Sequence, residues 1–491
     1  MAAQFPSLFK PGRNCCRSAR ARRATLIVDG EAYFRAFAQA ALRATQTIVI
    51  LGWDFHSQTR LHLGQAVGTT HGTGVPDLLG DFLNFLVERT PCLQIFILAW
   101  DAPPGFGHGR RERPAGSAGG WQPHERISVV YDSNCPLGGA LHQKVVVIDG
   151  AFALCGGTDL TLDRWDTPTH AWSDERRTNN GETEPYGPVH DVMLAVDSGA
   201  ARALQSLAGN RWRDAAGRKL PAVRSSPQAD PWPPLLPVMF SDVEVALART
   251  VPVGGARQAA REIEALYLDM IAAAQRYIYI ENQYFTAKRL GEALADRLAE
   301  PLGPEIIVVS RLDSTGWLEA PTMEALRTVL LHKLRDADAY GRFSAWYPDS
   351  PGQPCCDVHS KLMIVDDEWL RVGSANFANR SMGLDTECDL VVEAGGHSSV
   401  RATIALARNT LLAEHLGVTL HDVREAITLT RSVGAAVRAL AGRSGRTLRR
   451  FEQLDEPSPA VIALAAGIAD PEHPPLPVDE PTWMTRDILR A

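Results

Sequence analysis

At 491 residues, 45% hydrophobic and 22% charged, the chain has the composition of an ordinary globular protein with room for roughly two to four domains. A net charge of −7 argues against the wrapping of a polyanion such as nucleic acid, which normally shows as a basic domain. No apolar run approaches the roughly 18 residues of a membrane span, and residues 1–23 lack the apolar core of a signal peptide. A cytoplasmic protein is therefore expected, with a peripheral place at the inner face of the membrane left open.

Residues 1–24 read as a basic arm carrying Lys10, Arg13, Arg17, Arg20, Arg22 and Arg23, either solvated or drawn to an anionic membrane surface. Helical spacing of Tyr33, Phe34, Phe37, Ala41 and Leu42 predicts a helix over 31–47. A buried strand follows at 48–51, then a helix at 77–88, a strand at 93–100 and a Gly/Arg-rich loop at 103–120 containing Arg110, Arg111 and Arg113. The same order recurs with a helix at about 256–275, strand 277–280, helix 288–298, strand 305–310 and helix 321–337. Residues 48–55 align with 278–285, so the repeat covers whole lobes. Prolines between Ser225 and Pro237 interrupt any regular helix and mark a linker. After residue 400 a helix-rich stretch runs to about 442, followed by Arg443, Arg446, Arg449 and Arg450 and, from Glu456, a proline-rich end expected to loop over the surface.

Strands alternating with helices predict an α/β protein. The expected architecture is two similar α/β/α-layered lobes with mixed sheets, related by a pseudo-two-fold, with an active site at their interface. The boundaries are a basic arm at 1–24, lobe one at 25–222, a linker at 223–240, lobe two at 241–420 and a tail at 421–491. Eight cysteines, in two adjacent pairs and four single positions, make neither a disulfide framework nor a pair of CxxC units, so free thiols are expected.

The chemistry lies in one motif written twice. His142-Gln-Lys144 with Asp149 four residues on matches His359-Ser-Lys361 with Asp366, and Gly156-Gly157-Thr158-Asp159 matches Gly373-Ser374-Ala375-Asn376. A single such motif recurs by chance; two in matching lobes point to one shared site. His and Lys two apart on a strand point to the same face. Two imidazoles and two ammonium groups in one cleft suit a phosphodiester. The lysines hold anionic oxygens, one imidazole attacks phosphorus, and the other moves protons. Such a site needs no metal and no cofactor. Asp149 and Asp366 each end a strand at a tight turn and are expected to support the motif rather than transfer protons. Gly157, Thr158, Asp159, Ser374 and Asn376 are candidate phosphate and substrate contacts. A nucleophilic imidazole needs a carboxylate on its other nitrogen. Aligning His190-Asp191-Val192 with Thr386-Glu387-Cys388 assigns Asp191 to His142 and Glu387 to His359, with the insert around 166–186 as extra length in lobe one.

These residues resemble the phospholipase D superfamily over about 25–420. The duplicated motif falls on His142, Lys144, Asp149 and on His359, Lys361, Asp366. Arg164-Trp165-Asp166-Thr167, Glu281-Asn282-Gln283-Tyr284-Phe285 and Asn379-Arg380-Ser381-Met382 also resemble family stretches. Tyr186-x-Pro188-x-His190-Asp191 is similar to a family Pro-Trp-His-Asp stretch, with Val189 where Trp is usual. The resemblance implies cleavage of a glycerophospholipid through a phosphatidyl-histidine. Water or an alcohol would be the acceptor, His142 the nucleophile and His359 the general acid/base.

The expected partner is a phospholipid at a membrane surface, with no stable nucleic acid; oligomeric state is open. Alternatives within the superfamily are a cardiolipin synthase, whose branch often begins with membrane-spanning helices, and a nucleic-acid phosphodiesterase gripping backbone through the 103–120 arginines. A non-catalytic lipid binder is disfavoured because both motifs are intact. Trp53, Phe55, Trp121, Trp165, Tyr284, Phe285 and Trp317 are candidates for a lipid entrance.

Overall fold

The basic stretch near the N-terminus is not a free arm. In the computed structural model, residues 17–28 form a strand at the centre of the molecule, and Arg23 pairs with Asp197 and Asp230 while Arg13 pairs with Asp269. The structure describes residues 7–63, 74–102, 120–224, 230–253, 258–314, 319–353, 355–443, 445–452 and 456–474.

The first half contains β1 (Arg17–Val28), α1 (Asp29–Ala41), β2 (Thr47–Gly52), α2 (Leu79–Arg89), β3 (Gln94–Trp100), β4 (Ile127–Asp132), β5 (Val145–Ile148), β6 (Phe152–Gly156), β7 (Val189–His190), β8 (Val192–Asp197) and α3 (Ser198–Ala216). The second contains β9 (Phe240–Val251), β10 (Ala260–Arg261), α4 (Glu262–Ala273), β11 (Tyr277–Asn282), α5 (Lys288–Ala299), β12 (Glu305–Val309), α6 (Glu319–Ala337), β13 (Phe343–Asp349), β14 (Asp357–Val358), β15 (Lys361–Val365), β16 (Trp369–Gly373), α7 (Asn379–Gly383), β17 (Glu387–Glu393) and α8 (Ser398–Leu416). Then come α9 (Leu420–Thr430), α10 (Val433–Leu440), β18 (Thr447–Arg450) and α11 (Pro459–Leu464).

The two halves share one mixed sheet. Outward from an antiparallel β1–β9 seam, the order is β1-β8-β6-β5-β2-β3-β4 on one side and β9-β17-β16-β15-β11-β12-β13 on the other. Each half is antiparallel near the seam and parallel beyond β2 or β11. Wholly apolar strands such as Ile48–Leu51 suit this arrangement, because helices cover both faces. One core continues across the seam beneath α3 and α8. The opposite face is covered by α1 and α2 in the first half and by α4, α5 and α6 in the second.

Asp149 and Asp366 explain why α1 and α4 stop short of their expected ends. Asp149 accepts hydrogen bonds from the Thr45, Gln46 and Thr47 amides and the Thr45 hydroxyl. Asp366 accepts from the amides of Gln275, Arg276 and Tyr277. Both sit at positive φ, 50° and 55°, in turns that aspartate tolerates. Each carboxylate thus binds the entry of β2 or β11 to the exit of the motif strand. Asp149→Ala is expected to cost about 2–4 kcal/mol in urea unfolding, since it strips charged acceptors from several amides. The protein that remains folded should turn over normally; lost turnover at unchanged stability would instead mark Asp149 as a proton carrier.

The end of the chain is also docked. β18 pairs with β13 at the sheet edge, and buried Asp470 accepts from Thr286 Oγ1 and from the Asn379 and Arg380 amides. The expected surface loop from Glu456 therefore reaches α7, just after the second motif. In the first half, residues 166–186 carry no helix or strand, yet buried Arg177 donates to the Ala171 and Trp172 carbonyls and Tyr186 bonds both ways with Trp165. All eight cysteines are unbridged. Among the described residues, no helix is long and apolar enough to cross a membrane.

Candidate active site

His142 and His359 lie in the short segments that lead into β5 and β15, and these segments cross between the halves. Leu141 bridges Thr386 in parallel, and β14 pairs in parallel with β7. The His142 amide donates to the Thr386 carbonyl at 2.9 Å, and the His359 amide donates to the His190 carbonyl at 2.8 Å. The next residue along each partner strand is the carboxylate. His142 Nδ1 consequently lies 3.1 Å from both oxygens of Glu387, and His359 Nδ1 lies 2.8 Å from Asp191 Oδ2. This reverses the expected pairing of Asp191 with His142 and Glu387 with His359: each imidazole takes its carboxylate from the opposite half. With Nδ1 so engaged, Nε2 is the nitrogen left for a substrate.

The lysines complete the set. Lys144 Nζ lies 3.1 Å from Asp159 Oδ2 and donates to the His142 carbonyl. Lys361 Nζ donates to Gln283 Oε1 at 2.8 Å and to the His359 carbonyl. Burial, and then the charges of both lysines, hold each imidazole well below its usual pKa. Both ammonium groups therefore act on both rings, as one shared site requires. Burial pushes Lys361 down to about 7 and Asp191 up to about 6.

The Gly-rich turns are used differently from expectation. Ser374 and Ser381 hydroxyls donate to the two Glu387 oxygens, and Thr158 hydrogen-bonds Asp191. Buried carboxylates need donors, so hydroxyls expected to face a phosphate serve the histidine partners instead. Asp159 is committed to Lys144 and to the Trp53 amide. Of the five expected phosphate contacts, Asn376 keeps a side-chain oxygen without a hydrogen-bond partner. Gly157 makes room: a Cβ there would meet Asp191 Oδ1 at 2.1 Å. Gly157→Ala should displace Asp191 from His359, lowering stability by about 1–3 kcal/mol. It should also cut turnover sharply, which urea melts and steady-state assays would read together.

Sequence reading missed Gln283 as the Lys361 partner, and Arg164 and Arg311, whose charges reach His359. Gln283 and Arg164 sit in stretches whose resemblance was noted without a role, whereas Arg311 directly follows the strand expected at 305–310. Of the proposed entrance aromatics, Phe55, Trp121, Trp165 and Phe285 are buried, with Phe285 stacked on Phe377. Trp53 and Tyr284 remain partly exposed. Trp317 and the arginines at 110, 111 and 113 lie outside the described residues.

A family model described as cardiolipin synthase, PLD-like domain, matches residues 267–404, which hold the second motif. Phospholipase D A of Dictyostelium discoideum is 25% identical over 422 residues, 73% of this chain and 32% of that protein. Phospholipase D alpha 2 of Arabidopsis thaliana is 25% identical over 412 residues, 60% of this chain and 49% of its own length. Over most of its length the chain is similar to members of the phospholipase D superfamily. It spans about a third to a half of the length of these two relatives. The phosphatidylserine synthase of Haemophilus influenzae Rd KW20 shares the fold, with a TM-score of 0.50 at 11% identity over 86% of this chain and 96% of that one. The family model spans only the second motif.

Proposed function

We propose that the protein is a phospholipase D-type phosphodiesterase and phosphatidyltransferase. The observation that carries this reading is the pair of imidazoles, each backed by a carboxylate of the opposite half and both within the field of the same two lysines. A phospholipid phosphate enters between Lys144 and Lys361. His142 Nε2 attacks phosphorus, the bond to the head-group oxygen breaks, and His359 gives that oxygen a proton. The product is a phosphatidyl-histidine. Water or an alcohol then attacks phosphorus, His359 takes its proton, and the P–N bond breaks. Water yields phosphatidic acid and an alcohol yields a new phospholipid.

The resting site suits this order. A ring held neutral is the nucleophilic form. The incoming anion offsets the lysine field and draws His359 back toward the protonated form that a general acid needs. Trp53 and Tyr284, both partly exposed, offer apolar surface for the lipid.

The test is incubation with mixed phosphatidylcholine, phosphatidylethanolamine and phosphatidylglycerol vesicles in the presence of ethanol, with lipids identified by mass spectrometry. Phosphatidylethanol is the expected product, and the lipid consumed names the donor. Cardiolipin formed from phosphatidylglycerol would favour the second reading, a cardiolipin synthase, which the description of the matching family model supports. Absence of any lipid product would overturn both.

A further inference from the structure

Behind the His190–Asp191 strand lies a buried cluster that the phosphodiester chemistry does not use. Asp29 stands at the start of α1, His170 in the 166–186 insert, His190 on β7 and Glu414 on α8 of the other half. We propose that these four side chains form a structural site for one divalent cation of zinc's type.

Four ligand atoms, one from each residue, lie within 4.8 Å of one another. His190 Nδ1 is 2.7 Å from Glu414 Oε1 and 3.1 Å from Asp29 Oδ1. His170 Nε2 is 3.1 Å from Glu414 Oε1 and 3.6 Å from Asp29 Oδ2. Ligands about 2.1 Å from a tetrahedral zinc stand roughly 3.4 Å from each other, so three of these separations are close to the edges of such a polyhedron and the His190–Glu414 pair would open on binding. Two imidazole nitrogens with two carboxylates favour zinc over a hard cation that prefers oxygen alone.

The outer contacts fit as well. His170 turns its other nitrogen to Asp166 at 2.9 Å, and His190 turns its other nitrogen to Glu281 at 2.9 Å. A carboxylate behind each ligating histidine fixes the tautomer that presents a lone pair to a metal. Glu281 is itself held by Tyr279 and Ser360. Asp29 Oδ2 makes no hydrogen bond although the residue is buried, and His190 Nδ1 meets the Asp29 and Glu414 carboxylates only as ion-pair contacts. Polar atoms so placed are costly unless something else satisfies them.

Charge points the same way. Asp29, Asp166, Glu281 and Glu414 are buried together, and the cations near them include Arg177, 3.6 Å from Asp166, the half-exposed Arg176, and whatever protons His170, His190 and His415 carry. A divalent ion would offset most of this charge with neutral imidazoles as ligands. It would also tie the first half to α8 of the second. The strand it holds carries the His190 carbonyl and Asp191, both of which bind His359.

The experiment is zinc content of the full chain by plasma mass spectrometry after loading and exhaustive dialysis, with thermal melts in zinc and in chelator. One zinc per chain and a higher melting temperature with zinc are expected. His170→Gln with Glu414→Gln should lower the zinc content about tenfold or more. His142→Asn with His359→Asn should leave it unchanged. Cobalt bound to the parent chain should show the strong visible absorption of four-coordinate Co²⁺, a readout that needs no variant to fold. Little zinc together with identical melts in zinc and chelator would overturn the site. So would a zinc that is lost from the His142/His359 variant but kept by the His170/Glu414 variant, or a weak six-coordinate cobalt spectrum.

Discussion

His142→Asn and His359→Asn are each expected to lower turnover by roughly 10³- to 10⁶-fold while the fold persists, because groups that act as one unit fail together. Stability should hold because neither replacement strands a carboxylate. Glu387 keeps the Ser374 and Ser381 hydroxyls, and Asp191 keeps the Val192 amide. The two variants should nevertheless differ in what they accumulate. With acyl-labelled lipid and a quench in neutral denaturant, which spares the acid-labile P–N bond, His359→Asn should retain label on the peptide containing residue 142, because the water that would release it lacks a base. His142→Asn should retain none. Label on the peptide containing residue 359 in the parent protein would exchange the two roles. Near-normal turnover in either variant would sink the two-histidine mechanism.

The second large effect concerns the carboxylates, and it tests the crossing itself. Glu387→Gln and Asp191→Asn should each cost about 10²- to 10⁴-fold, as loss of a tautomer-fixing carboxylate does elsewhere. Their responses to the leaving group should diverge. A phosphatidyl ester of p-nitrophenol leaves without a proton. The pre-steady-state burst should therefore return in Asp191→Asn, whose defect lies in the acid, and stay slow in Glu387→Gln, whose defect lies in the nucleophile. The opposite pattern would mean that each carboxylate serves the histidine of its own half or that the histidine roles are exchanged, and the trapping experiment separates these.

Much of this was legible in the sequence. The runs at 48–51 and 93–100 and the repeated motif placed the strands and both histidines, because buried parallel strands and a duplicated pattern are local signals. The crossing was not legible. Alignment matches Asp191 to Glu387 as equivalents and says nothing of which histidine each meets. That is set by the bridges Leu141–Thr386 and Val358–His190, which join residues far apart in the chain. The N-terminal arginines misled for a related reason. Their charge suggested a solvated arm, while the acidic residues that neutralise Arg23 come from β8 and the linker. Ser374 and Thr158 read as phosphate donors because sequence shows hydroxyls but not the buried carboxylates beside them. The ends of α1 and α4 moved because Asp149 and Asp366 take up the amides that longer helices would have used.

The exchanged carboxylates carry a lesson about assembly. When a surface meets a copy of itself around a two-fold, residue i touches j and j touches i. His142 with Glu387 and His359 with Asp191 follow that rule inside a single chain. Neither half holds a finished reaction centre. A polypeptide ending before β9 would carry a histidine lacking its counter-ion and an aspartate lacking its imidazole, and it could regain both only from a companion. On the proposed mechanism, correct mating of the halves is therefore the act that switches the chemistry on, and a misassembled chain is silent by construction.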